Sequence, residues 1–179
     1  MSLPRLTGED VTTHRSTRQA RLKWVIVVDE SLPAGRAANA AACMAAAVGK
    51  ALPELLGPDG EDASGVVHPG LPWAGCSVLA ADAPTLRSIR AKAAGKDEVL
   101  IVDMPEQAQS SRVYDEYLDA VAGTGQDELA YCGISLVGPR TRIDRLVGRL
   151  GLLGRPADRL PEDAAPNGWL SVTEREPGR

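Results

Sequence analysis

The chain has very few aromatic residues. It contains no phenylalanine, three tryptophans and three tyrosines among 179 residues. The core must therefore be built from Val, Leu, Ile and Ala side chains, which suit helices packed closely on a sheet. The apolar fraction is ordinary for a globular protein, and a single domain of this length can bury a core without metal or disulfide support.

Cysteine and histidine are also scarce. The cysteines are odd in number and include no CxxC pair: Cys43, Cys76 and Cys132. We therefore expect reduced thiols and a cytoplasmic protein. Neither these cysteines nor the two histidines have the spacing of a zinc site, and we expect no metal and no cofactor. The sequence also lacks an apolar run of membrane-spanning length and an N-terminal signal core, so we expect no membrane association.

Positive charge is in deficit, with a formal net charge of −4. Nucleic-acid-binding proteins usually present a basic face, so the charge balance disfavours broad RNA binding and a tRNA partner. The last predicted helix nevertheless carries Arg140, Arg142, Arg145 and Arg149. We interpret them as a solvated face balanced by Asp144, with contact to a phosphate-rich partner as the alternative.

Strands and helices alternate along residues 23–154. Apolar runs predict strands over 24–28, 76–80, 99–102 and 131–137, and periods near 3.6 predict helices after each of them. This order predicts an α/β domain with a sheet between helices. Residues 1–22 are predicted to be a flexible tail, 55–73 a long surface loop, and 155–179 a proline-rich extension.

Several side chains have predicted roles in these elements. Asp82 and Ser110 or Ser111 are expected to cap helices, and Pro84 fits a first turn. The three cysteines are expected to be buried small residues, and Tyr114 and Tyr117 to belong to the core.

Two long stretches carry a family resemblance. They are 23–48, KWVIVVDESLPAGRAANAAACMAAAV, and 131–153, YCGISLVGPRTRIDRLVGRLGLL. With the strand, helix and strand between them, they resemble the type II peptidyl-tRNA hydrolases. The motifs DASG at 62–65, HPG at 68–70, QSSR at 109–112 and GPR at 138–140 resemble more closely the domain-of-unknown-function family two thousand, a relative of those hydrolases. The resemblance implies a three-layer α/β/α sandwich with a four-stranded mixed sheet, and suggests a homodimer.

The chain departs from the hydrolases at the positions that carry their chemistry. Arg36 and Ala38 stand where the hydrolases have lysines, and Ala42 and Ala45 where they have a glutamine and a histidine. Alanine can neither donate a side-chain hydrogen bond nor move a proton. Only Asp103 is retained, so the hydrolase mechanism does not carry over.

Polar residues near the carboxyl ends of the predicted strands indicate a ligand site. Ligands of open α/β sheets bind beyond these ends, and a helix starting near Gly35 would add a partial positive charge. We expect Asp103 to act as a base if the protein is catalytic. The expected ligand-binding residues are Asp29, Gly35, Arg36, Asn39, His68, Gln109, Ser110, Ser111, Arg112, Tyr114 and Arg140.

Three alternatives remain open for this site. Its aspartates and serines are also the residues that cap turns and helices, and His68 is also typical of a loop residue. If the site is catalytic, we expect a hydrolase or acyl transferase acting on a small carboxylate-, amide- or aminoacyl-type substrate. The alternative is a non-catalytic module for a small ligand, a tRNA end or a protein partner.

Overall fold

A four-stranded mixed sheet forms the centre of the molecule. The computed structural model describes residues 3–4, 6–7 and 10–154. In chain order the strands are β1 (Leu22–Asp29), β2 (Gly60–Glu61), β3 (Val67–His68), β4 (Ser77–Ala81), β5 (Leu100–Pro105) and β6 (Tyr131–Pro139). The main sheet has the order β4-β1-β6-β5, and β2 and β3 form a separate hairpin.

Strand directions decide which chain segments meet at each edge. β1 is parallel to β4, while β6 is antiparallel to both β1 and β5. The carboxyl ends of β1, β4 and β5 therefore lie along the same edge of the sheet, one formed by strand ends, which we call the carboxyl rim. The amino end of β6 joins them there, and its carboxyl end lies at the opposite edge, where Pro139 pairs with Leu22.

Helices cover both faces of the sheet. In chain order they are α1 (Ala34–Ala51), α2 (Ala83–Ala94), α3 (Gln107–Ser110), α4 (Tyr114–Ala122) and α5 (Arg140–Val147). α1 packs on one face through Ala37, Ala40, Met44 and Val48, and α2 and α5 pack on the other through Leu86, Ile89 and Ile143. The predicted α/β class with a four-stranded mixed sheet and helices is thus confirmed. Because both faces are covered, β1 and β6 are apolar along nearly their whole length.

The helix cap predicted at Asp82 is confirmed, whereas the cap predicted for α4 is wrong. The Asp82 carboxylate accepts a hydrogen bond from the Thr85 backbone N–H at 2.8 Å. α4 instead begins after Val113, which offers no side-chain hydrogen bond. The hydroxyl of Ser110 donates to main-chain carbonyls within α3, and Ser111 ends α3.

Two predictions about burial are also wrong. Cys43 and Cys76 are exposed, while Cys132 is buried as expected. The buried stripe of α1 follows residues 37, 40, 44 and 48, which turns Cys43 toward solvent. Tyr114 is 73% exposed and α4 has no buried residue, because this short helix packs mainly against α3 and not on the sheet.

The segment between α1 and β4 contains two of the sequence motifs and shows their structural roles. Asp62 accepts hydrogen bonds from the backbone N–H groups of Ser64 and Val66, and these bonds lower its pKa, the Val66 bond most. The DASG motif therefore closes the β2–β3 turn. In the HPG motif, a Cβ on Gly70 would lie 1.8 Å from the carbonyl oxygen of Gly57, so the close approach of these chain segments requires glycine.

The last strand and helix hold the N-terminal segment against the domain. Arg140 donates hydrogen bonds to the carbonyl oxygens of Thr17 at 2.6 Å and Ala20 at 3.0 Å. Ala20 is buried, although it falls in the stretch predicted to be a tail. At the other end, Leu152 bridges to Leu79 along the open edge of β4. The predicted extension 155–179 lies outside the described residues.

None of the helices in this part of the chain is both long enough and apolar enough to cross a membrane.

Candidate functional site

A β-bulge disturbs the pairing of β5 and β6 at the carboxyl rim. Met104 pairs with Gly133 and Pro105 pairs with Tyr131, so Cys132 is an extra residue on β6. Bulges redirect side chains, and Cys132 packs with the core on the α1 face of the sheet. The irregularity therefore places a thiol beside the first turns of α1.

Four side chains meet there, and we call them the rim cluster: Arg36, Asn39, Gln109 and Cys132. Gln109 connects all of them. Its Oε1 accepts from Arg36 Nε at 2.6 Å and from the Cys132 thiol at 3.4 Å. Its Nε2 donates to the Asn39 Oδ1 at 3.1 Å and to the Arg36 carbonyl oxygen at 2.9 Å. The short helix α3 is in this way attached to α1 and β6 through one amide group.

The charge in the cluster comes from Arg36. Its side chain is solvent-accessible, and one Nη lies 4.0 Å from the Cys132 sulfur. A guanidinium has five N–H donors, and the contacts to Gln109 and Cys132 use two, which leaves three. Burial raises the pKa of the Cys132 thiol, and the nearby Arg36 partly opposes the rise. At neutral pH the cluster therefore presents one cation beside a protonated thiol.

Asp103 lies on the other face of the sheet. It belongs to β5 and pairs with Ile134, whose side chain packs with α2 and α5. Its Oδ2 accepts a hydrogen bond from Arg90 Nε of α2 at 3.0 Å. The expectation that Asp103 belongs to the same site as Gly35 and Arg36 is wrong, because side chains along a strand alternate between faces and β5 extends past Asp103.

Asp29 also stands apart from Asp103. From the strand register and ordinary sheet spacings, their Cα atoms are about 12 Å apart. The Asp29 Oδ1 accepts the Ser31 backbone N–H at 2.8 Å, so this carboxylate closes the turn after β1. The two aspartates are thus too far apart to share a proton or one small ligand group.

Two tyrosines interact with the Arg90–Asp103 pair. The Arg90 guanidinium carbon lies 5.8 Å from the centroid of the Tyr131 ring, a cation–π distance. Tyr131 is buried, and its hydroxyl has no hydrogen-bond partner among the described residues. Burial raises the pKa values of both Tyr131 and Tyr117, and the Asp103 charge adds to each rise. Both phenols remain protonated at neutral pH.

Two other predicted site residues lie far from the rim cluster in the topology. Arg140 starts α5 at the opposite edge of the sheet, and its guanidinium is bound to main-chain carbonyls. His68 belongs to the β2–β3 hairpin, where its Nε2 lies 3.5 Å from Asp62. The segment that contains this hairpin connects the end of α1 to the start of β4, and both of these lie at the edge opposite the carboxyl rim.

The remaining predicted residues take no part in the hydrogen bonds of the rim cluster. Gly35 is exposed at the start of α1, and a Cβ there would meet nothing within 4 Å. Arg112 and Tyr114 are exposed after α3, with Ser110 and Ser111 before them. The sequence did not indicate that Cys132 belongs to the site, because no local pattern predicts a bulge in an apolar strand.

Comparison with known proteins places the chain in a family. A family model described as "Protein of unknown function (DUF2000)" matches residues 22–154. The chain belongs to this family. The family match agrees with the second resemblance found in the sequence, whereas the relationship to the peptidyl-tRNA hydrolases stays a prediction. A search of curated proteins finds no match.

The fold of this DUF2000 domain is also found among solved structures. One of these is the protein of unknown function Atu0240 from Agrobacterium tumefaciens strain C58, with a TM-score of 0.69 and 17% sequence identity. The alignment covers 74% of this chain and 97% of that one. At this identity the similarity concerns the fold alone.

Proposed function

We propose that the rim cluster binds a small molecule that carries a carboxylate or an amide. The observation that supports this proposal most is the Gln109 amide, which is bonded on both sides and holds the Arg36 guanidinium in one orientation. A fixed guanidinium loses little further entropy when it forms two parallel hydrogen bonds to a carboxylate. An oriented arginine at a sheet rim is therefore well suited to recognition.

The helix behind the arginine favours the same ligand charge. α1 is 18 residues long, and Pro33 before it provides no side-chain cap. The first N–H groups of such a helix lack partners within it and carry a partial positive charge of roughly half a unit. A carboxylate that meets Arg36 would also be near these groups. Asn39 adds an amide that can pair with the amide of an aminoacyl-type or peptide-like ligand.

Binding without catalysis is the function that this arrangement favours. None of the four rim-cluster side chains is a carboxylate or a histidine. The carboxylates of Glu106 and Asp29 add to the rise of the Cys132 pKa, and Asp29 accepts the Ser31 backbone N–H. Asp103 is paired with Arg90 on the other face. A cysteine nucleophile needs the thiolate, which burial disfavours at Cys132. We therefore propose a small-ligand binding module, and place the hydrolase or acyl-transferase hypothesis second.

A titration with N-acetyl-L-alanine tests the proposal, because this probe carries both a carboxylate and an amide. Nuclear magnetic resonance should show shifts at the amides of Arg36, Asn39 and Gln109. Arg36→Gln and Gln109→Ala should each weaken binding at least tenfold, about 1.4 kcal/mol. Arg112→Gln is the matched control, since Arg112 is exposed on the same segment outside the cluster.

Two results would contradict the binding proposal. One is an absence of shifts at the rim with millimolar probe. The other is an equal loss of affinity in Arg112→Gln and Arg36→Gln, which would indicate attraction to general positive charge. N-acetyl-L-alaninamide has an amide in place of the carboxylate, so comparing the two probes measures what the carboxylate contributes to binding. The amide should bind more weakly than the acid.

A further inference from the structure

The three arginines of α5 and Arg149, which follows the helix, differ in what they contact. Arg140 binds main-chain carbonyls of the N-terminal segment, and Arg142 binds Asp97 and pairs with Glu98. Arg145 and Arg149 are exposed and form no hydrogen bond or ion pair with another described residue. Two of the four arginines thus have a structural role, and the other two are available to a ligand.

These two arginines line an open groove between α2 and the end of α5. The groove has a volume of about 690 Å³, which is in the usual range for a small-molecule site. Lys92 of α2 also lines it, and this side chain too has no partner in the described part of the chain. Three cations that have no partner among the described residues therefore line one concavity in a protein whose net charge is negative.

The remaining lining adds an apolar base and neutral donors. Asp144 is the one acidic residue among the lining residues, and Lys23 pairs with it at 2.6 Å. Ile89 and Val147 are buried beneath the groove, with Leu146 and Leu150 half-buried beside them. The hydroxyls of Thr85 and Ser88 complete the lining. Positive charge at the border thus surrounds an apolar surface.

We propose that this groove binds a small phosphate-bearing molecule that also carries an apolar or aromatic group. Arginine forks match two phosphate oxygens at once, and Lys92 adds a third cation. The apolar base would cover the part of the ligand that carries no charge. A groove with only three cations offers few of the phosphate contacts that strong nucleic-acid binding uses, so the arrangement favours one compact ligand.

The proposal is independent of the carboxylate site. The groove lies on the α2 and α5 face, and the rim cluster packs on the α1 face. The chemical classes of the two ligands also differ, because the groove has several cations and the rim cluster has one. Failure of either proposal would leave the other intact.

Isothermal titration calorimetry with ATP tests the groove, because ATP joins a polyphosphate to an aromatic base. Adenosine and inorganic triphosphate are the partial probes, and each should bind at least tenfold more weakly than ATP. The double variant Arg145→Gln/Arg149→Gln should weaken ATP binding at least tenfold. Arg87→Gln is the matched control, since Arg87 is exposed on α2 outside the groove, and it should change the affinity less than twofold.

Three outcomes would overturn the proposal. ATP and inorganic triphosphate could both fail to bind at millimolar concentration, or Arg87→Gln could weaken ATP binding as much as the double variant does. A short single-stranded RNA that binds more tightly than ATP through the same two arginines would identify a nucleic-acid surface instead. Because Arg145 and Arg149 are exposed, thermal unfolding should show that both variants are folded.

Discussion

Arg90 and Asp103 form an ion pair between α2 and β5, with 3.0 Å between Nε and Oδ2. Both side chains are about three-quarters buried, and the pair lies on the sheet face opposite α1. The aspartate that the sequence singles out as a catalytic base thus has a partner that can explain its presence structurally. Whether Asp103 acts in binding or only in stability can be measured directly.

We predict that Asp103→Asn lowers stability without changing ligand binding at the rim cluster. A hydrogen-bonded pair that is about three-quarters buried should show a coupling of about 1 kcal/mol in a double-mutant cycle with Arg90→Gln. Chemical denaturation of the two single variants and the double variant measures this coupling. If N-acetyl-L-alanine binds Asp103→Asn tenfold more weakly while the cycle shows no coupling, Asp103 belongs to the ligand site.

A second prediction concerns the acid sensitivity of the N-terminal segment. The Arg21 guanidinium donates to Asp10 at 2.6 Å, and this bond, with one from the Thr7 backbone, holds the pKa of Asp10 well below its usual range. A lowered carboxyl pKa stabilises the folded state above the unfolded pKa of about 4, and the contribution is lost as pH falls toward the folded pKa.

Asp10→Asn should therefore reduce the free energy of unfolding by about 0.5–1 kcal/mol at pH 7, a modest value because Arg21 is nearly half exposed. The difference from the wild type should shrink at pH 3. Asp127→Asn is the control, because Asp127 is exposed and forms no ion pair with any residue that the structure describes. A difference that stays constant between pH 7 and pH 3 would show that charge on Asp10 contributes nothing.

The main elements of the fold could be predicted because their signals are local. The apolar run at 24–28 is too continuous for an exposed strand, and Asp82 with Pro84 marks a helix start. The placement of Arg36, Asn39 and Gln109 together followed from a rule of topology, since groups at the same sheet edge approach one another. That these residues bind a ligand stays a prediction.

The parts that could not be predicted depend on contacts between distant segments. The strand predicted over 99–102 ended before Asp103, whereas β5 continues to Pro105 and fixes Asp103 on one face. The bulge at Cys132 arises from pairing between β5 and β6, which leaves no trace in either strand alone. The bonds of Arg140 likewise join residues more than 100 positions apart.

A third prediction follows from those bonds of Arg140. Arg140→Ala should lower the free energy of unfolding by about 1–3 kcal/mol, because carbonyl groups of the Thr17–Leu22 segment lose their donors. Arg140→Lys should recover only part of this loss, since an ammonium group cannot span the same carbonyls as a planar guanidinium. Thermal and chemical unfolding measure both variants.

The control for Arg140 is Arg87→Ala, which removes an exposed arginine from α2 and should change stability by less than about 0.5 kcal/mol. Hydrogen exchange adds a local measurement. In Arg140→Ala the backbone amides of residues 17–20 should exchange faster, while those at the centre of β1 should change less. Unchanged exchange at 17–20 would show that the segment is held by other contacts.

The fourth prediction compares two glycines of the site region. A Cβ on Gly133 would lie 2.8 Å from the Val27 carbonyl oxygen and 2.9 Å from the Met44 side chain. Gly133 pairs with Val28 and Met104 on either side, so β6 cannot move away without breaking the sheet. Gly133→Ala should therefore cost about 1–3 kcal/mol of stability through overpacking beneath α1.

Gly35→Ala is the matched variant, because a Cβ there meets nothing within 4 Å and Gly35 lies in the first turn of α1. Alanine restricts the unfolded chain and favours the helix, so this variant should gain about 0.4–1 kcal/mol. Urea unfolding gives both values. Loss of N-acetyl-L-alanine binding in Gly35→Ala, without loss of stability, would show that the ligand approaches the backbone at this glycine, and unchanged binding would confine recognition to the side chains of the rim cluster.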